Sequence, residues 1–127
     1  MAHVRELSSQ IADVYTKLCK YSNINVTNFT QSGITEGNHI VVTTLGKLAN
    51  TLKKRGNSGK LDLSELKCFI FDETDVFFGD QRHLNQLKEL HKNYISKLPK
   101  KVQHIFFSAT YAEDVKIAVS QFTGAAH

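Results

Sequence analysis

The chain has 127 residues, 41% of them hydrophobic and 22% charged, which is the size and balance of one globular domain and excludes disordered and fibrous classes. Sixteen Lys and Arg against 12 Asp and Glu leave a net charge of +4, concentrated in the first half: residues 1–60 carry eight cations and three carboxylates, residues 61–127 eight and nine. This admits a polyanionic partner without requiring one; no apolar run approaches the ~18 residues of a membrane span, and Arg5 and Glu6 interrupt any signal-peptide core.

In chain order, Leu7, Ile11, Val14, Leu18 and Tyr21 fall at helical spacing and predict an amphipathic helix. Ile24 to Phe29 reads as a weak strand, and Ile40-Val41-Val42-Thr43 as a short strand buried on both faces. Leu45, Leu48 and Leu52 mark a helix stopped by Lys53-Lys54-Arg55 and Gly56. Cys68-Phe69-Ile70-Phe71 is a second buried strand, running into Asp72-Glu73-Thr74-Asp75. Leu84, Leu87, Leu90, Tyr94, Ile95 and Leu98 predict one long helix closed by Pro99. His104-Ile105-Phe106-Phe107 is a third buried strand, ending in Ser108-Ala109-Thr110. Thr110 with Glu113 forms a capping box for a last helix, whose inner face is Val115, Ala118, Val119 and Phe122. Cys19 and Cys68, far apart in apolar segments, read as buried thiols of a reducing compartment.

Short continuous strands alternating with amphipathic helices predict an α/β fold, a parallel sheet with helices on both faces. Ligands of such sheets sit outside the carboxyl ends of the strands. Three polar clusters are expected there: Thr43 to Lys47, Asp72 to Asp75 and Ser108 to Thr110. An apolar strand delivering two adjacent carboxylates suits a divalent cation held near phosphates, one group orienting the metal and the other positioning a water. The same acidic run also fits a helix N-terminus, and the residues alone leave both readings open.

Taken together, the motifs resemble those of the DEAD-box ATP-dependent RNA helicases. Asp72-Glu73-Thr74-Asp75 resembles the DEAD motif with Thr in place of Ala, and Ser108-Ala109-Thr110 matches SAT. Arg5-Glu6-Leu7-Ser8-Ser9-Gln10 resembles PTRELA, and Thr44-Leu45-Gly46-Lys47 resembles TPGR. Thr74 and the following Asp75-Val76 point toward the mRNA-export branch.

The resemblance implies a RecA-like domain of the P-loop NTPase type. It gives Asp72 the role of holding Mg²⁺ through water, alongside Glu73, which would activate the water that attacks the γ-phosphate of ATP. Asp75 would bond toward Ser108 and Thr110. Arg5, Gly33, Thr44, Gly46 and Lys47 would lie along an RNA backbone, as hydroxyls, amides and cations at helix starts suit. The implied partners are RNA and the second RecA-like domain, with no membrane, and the implied location is the nucleus or cytoplasm.

Departures from the family pattern accompany the matches. Leu45 stands for Pro, and Lys47 for Arg, which keeps the charge but loses the planar fork. The family's P-loop precedes the first matched motif, so residues 1–127 are expected to be an N-terminally incomplete first RecA-like domain, inactive by itself. Gly56-Asn57-Ser58-Gly59-Lys60 is no substitute, because Leu61 stands where Ser or Thr should bind Mg²⁺. An uncovered edge on the Ile105-Phe106-Phe107 strand is expected to favour self-association. Two other classes fit less of the pattern: a non-catalytic RNA- or protein-binding decoy, and a phospho-receiver domain, whose early acidic pair and Lys at the last strand are not present here.

Overall fold

The structure, a computed structural model, describes residues 1–33, 37–54 and 61–124. The chain divides into two compact units, Met1–Leu61 and Asp62–His127.

In the first unit, α1 (Arg5–Leu18) packs against β1 (Val26–Asn28) and β2 (Ile40–Val42), and α2 (Leu45–Lys53) follows. β1 and β2 pair in parallel, Val26 opposite Ile40 and Asn28 opposite Val42. Ala2, fully buried, bridges to Thr44, its N–H donating to the Thr43 carbonyl at 2.9 Å. The buried face of α1 is not the expected stripe. Ser8 and Ala12 are buried and Leu7 and Ile11 half-buried, whereas Val14, Leu18 and Tyr21 are exposed. Small side chains let the helix axis approach the strands, and Ser8 can be buried because its hydroxyl donates to the Val4 carbonyl at 3.2 Å. Thr44 caps α2, its hydroxyl accepting from the Lys47 N–H at 3.5 Å. The expected stop at Gly56 lies outside the described residues, as does the Gly56–Lys60 loop.

In the second unit, β3 (Cys68–Phe71) pairs in parallel with β4 (Gln103–Phe106), Phe71 opposite Phe106. Between them run α3 (Thr74–Gly79), α4 (Gln81–Asn93) and a 3₁₀ turn over Ile95–Lys97; α5 (Glu113–Thr123) closes the unit. The core is aromatic: Phe71 stacks on Phe106 at 4.9 Å and meets Phe77, Phe78 and Phe122 edge-on. Burial along β3 alternates, Phe69 and Phe71 in and Cys68 and Ile70 half-exposed, so the expected two-sided burial does not hold. Phe107, expected inside, is 58% exposed, and both cysteines are half-exposed.

Two helix boundaries differ from expectation. The helix predicted to Leu98 breaks at Tyr94 and resumes as the 3₁₀ turn. Pro99 forces Leu98 into extended backbone (ψ 146), which excludes a last α-helical turn. The Thr110 capping box does not form: α5 starts at Glu113 with Ala112 as an N-cap that makes no side-chain bond.

Candidate functional site

Unit two carries an acidic corner at the carboxyl end of β3. Asp72 leaves the strand, its carboxylate accepting from the Glu73 N–H at 3.0 Å. Glu73 itself sits in the left-handed region (φ 57, ψ 58), the one non-glycine residue with positive φ among the described residues. That conformation costs an L-residue about 1–2 kcal/mol and persists only where its surroundings impose it. Thr74 supplies the restraint: fully buried, it donates both its N–H and its hydroxyl to the Phe107 carbonyl, each at 2.9 Å. The hydroxyl that distinguishes Thr74 from the Ala of the motif is therefore a second clamp between the end of β3 and the end of β4.

Asp75 follows in the first turn of α3, beside the same segment. Its N–H donates to the Ser108 hydroxyl at 3.3 Å, and its carboxylate accepts from the Thr110 hydroxyl at 2.9 Å. The Ser108 and then the Thr110 hydroxyls hold the Asp75 carboxyl below the ordinary carboxylate range. Thr110 thus has a tertiary partner, which is why it does not cap α5. Asp72, Glu73, Asp75, Ser108 and Thr110 are brought together in one corner.

Unit one carries the other five candidates on three adjoining segments. Arg5 opens α1, and its carbonyl accepts from the Ser9 hydroxyl at 3.3 Å. The Ser9 oxygen in turn accepts from Asn28 Nδ2 at 3.2 Å and Gln31 Nε2 at 2.8 Å, fastening α1 to the loop that runs from β1 to Gly33. Asn28 shapes that loop, its Oδ1 accepting from the Thr30 N–H at 3.1 Å. Thr44, Gly46 and Lys47 form the start of α2, and the Lys47 ammonium lies over the Phe29 ring, 5.0 Å from its centroid. Gly46 is exposed and a Cβ there would meet nothing within 4 Å, so the fold itself does not demand glycine.

The bonds of Thr74 to Phe107, the place of Phe29 under Lys47 and the Ser9–Asn28–Gln31 cluster are not marked in the sequence. Each acts through a partner distant in sequence, which no local spacing advertises.

Residues 1–118 match the DEAD/DEAH box helicase family. The chain is 31% identical over 126 residues to "ATP-dependent RNA helicase dbp5" of Schizosaccharomyces pombe, covering 96% of this chain and 24% of that protein. It is 29% identical to "Eukaryotic initiation factor 4A" of Caenorhabditis elegans, covering 96% and 30% respectively. Among solved structures, a variant of S. cerevisiae Dbp5 bound to Gle1 and IP6 superposes with a TM-score of 0.79 at 23% identity, over 100% of this chain and 32% of that one. The same protein bound to RNA and ADP BeF3 gives 0.77 at 23% identity, over 97% and 30%. The chain thus spans a quarter to a third of the proteins it matches.

Proposed function

Because this chain belongs to the DEAD/DEAH box helicase family, we propose that it is part of the first RecA-like domain of an ATP-dependent RNA helicase. The observation that carries this reading is the acidic corner, where β3 presents Asp72 and Glu73 while Asp75 bonds to Ser108 and Thr110. In this reading Glu73 orients and deprotonates the water that attacks ATP, and Asp75 transmits the state of the nucleotide site to the Ser108–Thr110 segment. The donor set, two neighbouring carboxylates at an open strand end, suits a hard cation that keeps several waters, so Asp72 and Glu73 would hold Mg²⁺. The chemistry such an ion would supply there is charge neutralisation for a bound triphosphate.

Arg5, Gly33, Thr44, Gly46 and Lys47 form the RNA-facing edge. Their chemistry is two cations, a hydroxyl and exposed backbone, which grip phosphates and read no bases. We place the chain in the mRNA-export branch on the Thr74-Asp75-Val76 run that resembles it, and with it a nuclear or cytoplasmic location; no helix among the described residues is long and apolar enough to cross a membrane. A second RecA-like domain is the proposed partner for catalysis, and a second copy of the chain the proposed partner at the β4 edge, which pairs only with β3 among the described residues. Sedimentation at high concentration checks that association, and a clean monomer refutes it.

The test of the main reading is titration of the chain into labelled single-stranded RNAs of unrelated sequence. Binding should be weak, indifferent to sequence and steeply weakened by salt, because each phosphate contact releases a counterion. Binding that survives high salt or prefers particular bases overturns the reading.

A further inference from the structure

The Lys47–Phe29 contact has a consequence for how RNA is held. Lys47 lies on the first turn of α2, at the motif position where the sequence departs from arginine. A lysine there carries a compact charge on a flexible stem with many rotamers to lose, and has no planar fork to set its direction. In this chain the ammonium is nevertheless placed, 5.0 Å from the centre of the Phe29 ring. Phe29 is itself buried, 5% exposed, and its N–H donates to the Val42 carbonyl at 2.8 Å. The preceding residue, Asn28, is fastened to Ser9 of α1. The ring is therefore a buried platform under Lys47, on a segment that Asn28 ties to α1.

We infer that Phe29 is a positioning residue for RNA, holding the Lys47 ammonium over its ring so that the charge meets a phosphate already oriented. The ring's negative face attracts the cation, and an exposed interaction of this kind is worth about a two- to five-fold factor in an equilibrium constant. Phe29 thus gives back to Lys47 part of the direction that an arginine fork carries in its own geometry. The inference rests on the RNA-binding reading above.

The experiment is a double-substitution cycle on RNA affinity, using the whole chain and a single-stranded homopolymer RNA. Lys47→Met keeps the stem over the ring and removes the charge; it should weaken binding and lower the slope of log K against log salt by about one. Incorporating trifluorophenylalanine at position 29 nearly preserves the ring's shape while cancelling the attraction of its face. It should weaken binding by about two- to five-fold, with the salt slope retained. Phe29→Tyr, which keeps the electron-rich face, should bind like the natural chain. In the Lys47→Met background the fluorinated ring should change nothing, since Phe29 acts only through the ammonium.

An equal loss in both backgrounds, or no loss in either while Lys47→Met weakens binding, overturns the role of Phe29 and leaves the RNA reading standing. Failure of the natural chain to bind RNA at low salt overturns both. A ring that mattered only for folding would shift the melting temperature of the fluorinated chain, and its effect on affinity would not depend on Lys47.

Discussion

The Thr110 hydroxyl donates to the Asp75 carboxylate at 2.9 Å, tying the turn after β4 to the first turn of α3. With Ser108 on the same carboxylate, Asp75 is kept ionised further into acid than an ordinary aspartate. Because the folded-state value is depressed, the contribution of Asp75 to stability is complete above the ordinary value of 3.8 and is lost as pH falls through the folded one. Replacing Thr110 with Val should move the Asp75 titration upward, read directly from its carboxyl carbon shift by NMR. Ser108→Ala should move it further, Ser108 being the larger influence. An unchanged titration in both variants would show that these hydroxyls do not act on the carboxylate.

Acid sensitivity at milder pH should come from the histidines. The His91 and His104 rings lie 5.7 Å apart, and both pack on Phe122. Burial lowers the basicity of each, and for His104 the neighbouring His91 lowers it further. The unfolded chain therefore binds protons that the folded chain resists. Stability should be complete above about the ordinary 6.5 and fall as pH drops below it. His104→Phe, placing a ring among Phe69, Phe106 and Phe122, should flatten the urea midpoint between pH 7 and pH 5. A midpoint as steep as that of the natural chain would refute the assignment.

Thr74 offers a cleaner separation of packing from hydrogen bonding. Thr74→Val keeps the volume and the N–H bond to the Phe107 carbonyl but removes the hydroxyl bond, and should cost about 0.5–1.5 kcal/mol by denaturant unfolding. No measurable loss would mean that the second clamp contributes nothing.

How far such features could be read beforehand depended on the range over which their causes act. The strand–helix order was legible because apolar runs and helical periodicity are local. The acidic corner was legible because its residues are contiguous on two short segments. Helix faces were harder. In α1, large apolar residues at perfect spacing lost to Ser8 and Ala12, since the distance of closest approach, not hydrophobicity, selects the inner face. Thr110 satisfied a local capping pattern and still bonded to Asp75, a partner that exists only once β3 and β4 have paired. Phe29 looked like the end of a weak strand, and nothing in its neighbourhood names Lys47.

Gly46 should trade stability against RNA affinity. An added Cβ meets nothing within 4 Å, so Gly46→Ala relieves the entropic cost of glycine in a helix and should stabilise the first unit by about 0.5–1 kcal/mol. The same methyl group stands on the surface proposed to face the RNA backbone and should weaken binding. Higher stability with unchanged affinity would remove Gly46 from that surface.

Phosphoryl transfer depends mostly on positioning and charge neutralisation, and in this family type the groups responsible are P-loop amides with their lysine, and an arginine finger. The sequence contains no GxxxxGK[ST] segment, and the acidic pair alone has nothing to hold a triphosphate in line with its water. Loss of an arginine finger by itself can cost about 10³–10⁵ in rate. Residues 1–127 should therefore release no measurable phosphate at saturating ATP and Mg²⁺, with or without RNA. In a longer protein that carries this segment together with a P-loop and a second domain, Glu73→Gln should abolish hydrolysis and spare ATP binding, since the amide keeps the shape of the side chain and loses its basicity. The decisive outcome is RNA-stimulated phosphate release by residues 1–127 that disappears in Glu73→Gln, because it would place a complete ATPase within this chain and refute its reading as part of a domain.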